Sequence, residues 1–165
     1  MKIAIAVLVG GVVAASASAQ TGLAGRVPGG SIGEAFHLVA GTQVTQHTVT
    51  LRFGPDDNRP DFTVEFVTRV ADHQPASPGV VDVIITEVHP ADESPAMAVQ
   101  IDGETQSVSA RLKARRSIAT TMAFDAFAKM IAANTIIYRA FGSELEFSPG
   151  QMRMLRATVE RWMGP

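Results

Sequence analysis

The chain has 165 residues, 46% of them hydrophobic and 18% charged, with 14 basic groups against 16 acidic ones and a formal net charge of −2. This is one ordinary domain's length, enough to bury a core without covalent staples. No cysteine is present, which excludes a disulfide framework, thiolate zinc sites, thiol catalysis and C-x-x-C-H haem attachment, while the acidic balance and few aromatics argue against nucleic-acid binding.

The opening "MKIAIAVLVGGVVAASASAQ" joins a charged start (Lys2), an apolar run over residues 3–13, and the small-residue site Ala17-Ser18-Ala19 before Gln20. These are the parts of a secretory signal peptide. The run is shorter than the roughly 20 residues that a spanning helix needs. Residues 1–19 are therefore expected to be cleaved, leaving a chain that does not span the membrane. No cysteine follows the site to carry a lipid anchor. Loss of Lys2 takes the net charge to −3, and eleven of the fourteen basic residues are arginine, which fits a GC-rich bacterial genome. The expected location is the periplasm of a Gram-negative bacterium, or outside the cell. Charge is unevenly placed: residues 20–102 carry 4 basic and 11 acidic groups, residues 103–165 carry 9 and 5. Such a split suggests a polarised surface or two mutually attracting halves.

Residues 20–33 ("QTGLAGRVPGGSIG") have five glycines, a proline and no apolar period, and read as a flexible lead-in to a single domain over 34–165. "FHLVAGT" is a weak strand candidate. In "HTVTLRF" and "DFTVEFVTRV" apolar and polar residues alternate, the mark of half-buried strands, and the turn-forming "GPDDNRP" between them predicts a hairpin. "VVDVIITEV" is continuously β-branched and fits a central strand, with Asp82 and Glu87 suggesting one exposed end. In "AMAVQIDGETQSVSARLKA" the Asp102-Gly103 pair predicts a type I′ turn that sets Ile101 opposite Glu104 and Val99 opposite Gln106. That register puts Met97, Val99, Val108, Ala110 and Leu112 on one face.

Helical spacing follows in "TTMAFDAFAKMIAAN", where Phe124, Phe127 and Ile131 share a side and Thr120 or Thr121 is placed to cap. "TIIYRAFGSELEFS" returns to strand, and a II′ turn at Gly142-Ser143 would pair Tyr138 with Phe147 and Arg139 with Glu146. Ser148-Pro149-Gly150-Gln151 spells a capping box with proline at the first helical position, opening a helix with the stripe Met152, Leu155, Val159 and Trp162. Strands first, then helix, hairpin and helix predict an α+β fold: an antiparallel sheet of about six to seven strands packed by two C-terminal helices.

No catalytic motif emerges. Among the four histidines none has paired metal spacing, but His73 and His89 flank the central strand beside Asp72 and Asp92-Glu93. His73, His89, Asp92 and Glu93 are the residues that a metal-dependent site would use, since imidazole and carboxylate suit zinc, copper or nickel. Two solvated loop histidines are the simpler reading of the pattern. Asp56 and Asp57 lack the ligand series of a calcium loop. No G-x-S-x-G and no phosphate-cradling loop occurs. The one notable cluster is basic: Arg111, Lys113 and Arg115 project to one side of an extended strand, with Arg116 beside them. Such a row suits phosphates of an envelope lipid or another anionic polymer, unless it serves only solubility.

The segments "VDVIITEVHP", "VQIDGE" and "FAKMIAANTIIYRAFGSELEFSPGQMRMLRATVERW" resemble a layout recurrent in small exported bacterial proteins. There a strand with a D-G turn leads to a helix, a strand and an S-P-x-Q capped helix. The layout is also similar to exported proteins of the invasion-associated locus B type, from which this chain departs in having no cysteine. The resemblance covers about the last half of the chain, carries no catalytic motif, and implies export without an activity. Two functions are expected from the residues themselves. One is a noncatalytic binding or envelope-associated module without a cofactor, whose partner is an anionic envelope component or another periplasmic protein. The other is a small hydrolase or metal-dependent enzyme built on the His73–Glu93 loops.

Overall fold

The computed structural model describes residues 29–39, 42–55, 60–71, 79–88, 96–114 and 116–163. The expected signal segment 1–19 lies outside them. Ten strands and two helices occur among the described residues: β1 (Gly30–Val39), β2 (Thr42–Phe53), β3 (Phe62–Ala71), β4 (Val80–Glu87), β5 (Met97–Ile101), β6 (Glu104–Ser107), β7 (Arg111–Ala114), β8 (Ser117–Ala123), α1 (Phe124–Ala132), β9 (Ile136–Ala140), β10 (Ser143–Glu146) and α2 (Pro149–Trp162). The fold is α+β and antiparallel, with both helices in the C-terminal half. The strands divide into two sheets instead of one, ordered β1-β2-β3-β4-β8-β7 and β10-β9-β5-β6. No helix among the described residues is long and apolar enough to cross a membrane.

Residues 30–33, read by composition as part of the lead-in, open β1 and pair with β2 from Gly30↔Leu51 onward. The glycine there lies under the flexible end of a methionine. A Cβ on Gly30 would collide with the end of Met154 on α2. The predicted hairpin of β2 and β3 forms with Val49↔Phe66 and Leu51↔Val64 opposed and fully buried. β4 is central, between β3 and β8, and buries Val81, Val83 and Ile85 on the core face and Ile84 on the other. Glu87, expected near an exposed end, is 5% exposed.

The Asp102-Gly103 turn has φ of 48° and 89°, both in the left-handed region a type I′ turn requires, and keeps Ile101↔Glu104 and Val99↔Gln106 in register. Asp102 does more than turn the chain. Its Oδ1 accepts hydrogen bonds from the backbone N–H groups of Asn134 and Thr135, each at 2.9 Å, tying down the α1–β9 loop. The ribbon is only four pairs deep. Past Ser107 the Thr120 hydroxyl donates to Ser109 O (2.9 Å), and from Arg111 the chain pairs with β8 in the other sheet. The apolar face predicted from Met97 to Leu112 therefore breaks at its end.

Two further details differ from expectation. Thr120 and Thr121 lie in β8, and α1 starts at Ala123 without a side-chain cap. The β9–β10 turn is Phe141-Gly142 (φ 52° and 72°), so Arg139 faces Glu144 and Tyr138 faces Leu145. The register slips by two residues, which leaves every side chain on its expected face.

The capping box on α2 forms: Gln151 N–H donates to Ser148 Oγ and Ser148 N–H to Gln151 Oε1. The buried Gln151 amide also donates to Gly29 O and Arg52 O, both at 3.1 Å, pinning the helix start to β1 and β2. From the exposed side of α2, Arg156 reaches the carbonyls of Ile131 and Ala133 at the end of α1, groups that the helix cannot satisfy itself. Phe66 meets Phe127, Tyr138 and Phe147, so one ring of the large sheet touches α1, β9 and the residue after β10. Trp162 lies near Phe124, Phe127 and His47, away from the β9–β10 hairpin that precedes its helix. At ~1.5 Å per residue the 14-residue α2 carries its end about 21 Å from the hairpin that starts it.

Candidate functional site

β7 is an edge strand of the six-stranded sheet, and its four residues are all exposed. Pairing with β8 starts at Arg111↔Ala119 and Leu112↔Ile118, then shifts so that Ala114 meets Ser117. This bulge breaks the simple two-residue alternation on which a straight cationic row depends. Arg111 and Lys113 are both brought to the edge. Arg115 lies outside the described residues, and Arg116 is exposed at the turn into β8, donating to Val88 O at 3.2 Å.

A hydrogen-bonded chain crosses the outer face toward this edge. Arg69 Nε donates to Gln46 Oε1 (3.1 Å), Arg69 Nη1 contacts Asp82 Oδ2 (3.1 Å), and Thr121 Oγ1 donates to Asp82 Oδ1 (2.6 Å). Burial alone would raise the Asp82 carboxyl. The hydrogen bonds from Thr121 and Arg69, with the charges of Arg69 and Arg111, outweigh it and hold Asp82 below the ordinary 3.8. Arg69 is thus the contact partner of Asp82, and Arg111 acts only at longer range. Neither Arg111 nor Lys113 forms an ion pair among the described residues.

The four residues of the alternative site, His73, His89, Asp92 and Glu93, lie outside the described residues. Gly79 and Val88, which bound the described segment between them in sequence, stand at opposite ends of β4, roughly 30 Å apart at ~3.3 Å per residue. His47 is described. Its Nδ1 is 3.3 Å from Glu34 Oε1, and its ring centroid is 6.2 Å from that of Trp162. Burial lowers the imidazole pKa below 6.5, and the opposing pull of Glu34 does not restore it. The unfolded chain then binds this proton more readily, so His47 contributes stability that is present above 6.5 and lost as pH falls through the folded value. Denaturation midpoints measured from about pH 7.5 down to 5 are expected to fall, with a shallower slope in His47→Gln. An unchanged slope would show that His47 is not responsible. The Asp82 contribution is lost only below its ordinary 3.8 and does not enter that window.

A shallow cleft of ≈ 480 Å³ opens between β5, β9 and β10, lined in part by Met97, Ser107, Arg139, Ser143 and Glu144. Its charges are already engaged: Arg139 donates to Glu144 at 2.7 Å and to Gln100 at 3.2 Å. At the β7 edge Arg111 and Lys113 have no ion pair among the described residues, as is true also of Lys129, Arg153 and Arg161.

Comparison of the chain with known protein families, curated proteins and solved structures gives no match. The Arg69–Asp82–Thr121 chain was not anticipated from sequence. All three are outward positions of alternating strands, but seeing them together needs the β3–β4 and β4–β8 registers.

Proposed function

We propose that this chain is an exported, noncatalytic binding module of the bacterial envelope that holds an anionic component along the β7 edge. The observation that carries the reading is the pair of exposed cations, Arg111 and Lys113, on an edge strand where Arg69 already occupies the nearby Asp82. The export half rests on Lys2, the apolar run and the Ala17-Ser18-Ala19 site. Exposed single ion pairs contribute little, about 0–1 kcal/mol each, so useful affinity requires several phosphates or carboxylates engaged together. Such binding is salt-sensitive, because exposed charges are screened beyond about 10 Å at 0.1 M.

Retention on heparin-agarose tests the reading. The purified chain is expected to bind at low salt and elute as salt rises. The double variant Arg111→Glu, Lys113→Glu is expected to pass through while unfolding at the same denaturant concentration. No retention at low salt, or retention indifferent to the two reversals, would remove β7 as a ligand site.

A further inference from the structure

We infer that the anionic component is a phospholipid surface, bound with Leu112 inserted among the cations; this rests on the binding reading just given. Leu112 is 60% exposed, the most exposed large hydrophobic residue among those described, and it stands between Arg111 and Lys113 on the same four-residue edge. At the same end of the sheet Arg116 is exposed, and it holds the carbonyl of Val88, which is itself 38% exposed. The β7 edge and the corner beside it, where Arg116 meets Val88, thus carry three exposed cations and two exposed apolar side chains.

A soluble polyanion offers phosphates or sulfates but nowhere to bury a leucine. A bilayer offers a plane of phosphates with hydrocarbon a few ångströms beneath it, matching both features of the corner. Either signal alone gives marginal, reversible attachment, and the two together add. The bulge between Leu112 and Ala114 supports this use. The shift lies beyond Leu112, so it frees Lys113 from strict alternation and lets it share the side of Leu112, while Arg111, paired with Ala119, stays on the other face of the edge. The bulge also re-aims an edge away from pairing.

Vesicle flotation and heparin retention, run side by side, separate the inference from the reading beneath it. The exported chain, from Gln20 onward, is expected to float with vesicles of phosphatidylglycerol and phosphatidylcholine and not with phosphatidylcholine alone. Leu112→Ser is expected to lose about tenfold in vesicle partitioning, the scale of removing one buried aliphatic side chain, while keeping its heparin retention. Arg111→Glu, Lys113→Glu is expected to lose both. Heparin retention without vesicle binding, or vesicle binding equal in Leu112→Ser, overturns the lipid assignment and leaves the anion site standing. Failure of the exported chain to bind either probe overturns both.

Discussion

Phe66→Ala is expected to cost about 3–5 kcal/mol, the range for removing a buried aromatic ring. Phe66 is fully buried, and its centroid lies 5.1 Å from Phe127, 6.5 Å from Tyr138 and 6.1 Å from Phe147. These rings come from α1, from β9 and from the segment entering α2. The cavity would therefore open where both sheets and the first helix meet, and no single element can close it by shifting. Tyr138 is fully buried too, its hydroxyl donating to Met130 Sδ at 3.4 Å, and burial pushes its pKa far up, so no ionised form stabilises the site. A domain of this size is stable by about 5–15 kcal/mol, so the variant should be marginal in urea titration. A midpoint close to that of the parent chain would mean that the two sheets do not share this core.

Trp162→Ala is the second large effect, again about 3–5 kcal/mol. The indole is 6% exposed and lies within 6.5 Å, centroid to centroid, of Phe124, Phe127 and His47, closing the far end of the core. It is the only tryptophan, so emission reports it directly: blue-shifted when folded, red-shifted in denaturant. Arg153→Ala, on the exposed side of the same helix, is expected to stay within about 0.5 kcal/mol of the parent. Red-shifted native emission together with a stable Trp162→Ala would mean that the end of α2 is not docked.

Local signals in the sequence translated well into structure. The D-G turn fixed its hairpin register, the S-P-x-Q box opened α2 where it was read, alternation identified β2 and β3, and the β-branched run identified β4. Signals that depend on a competing partner did not. Thr120 and Thr121 look like caps until Ser109 O, just ahead of β7, and Asp82 on β4 claim their hydroxyls. Gly142-Ser143 is an acceptable turn, yet Phe141-Gly142 wins with Arg139 set against Glu144 at 2.7 Å. Division into two sheets was invisible because the chain changes partner between Ser107 and Arg111 without a break in pattern. At the site, the basic cluster was legible as composition. Its position on an unpaired edge, the bulge, and the exposure of Leu112 were not, since each follows from β7 pairing with β8 and not with β5.

Anion binding on the β7 edge is read out residue by residue by following backbone amide NMR shifts while a heparin oligosaccharide is titrated into the protein. The account predicts shifts concentrated at Arg111–Ala114 and at Ser117, Ile118 and Ala119 across the ladder, and their disappearance in Arg111→Glu, Lys113→Glu. Shifts centred instead on the Arg139–Ser143 cleft, or spread evenly over basic residues of α2 such as Arg153 and Arg161, would contradict it.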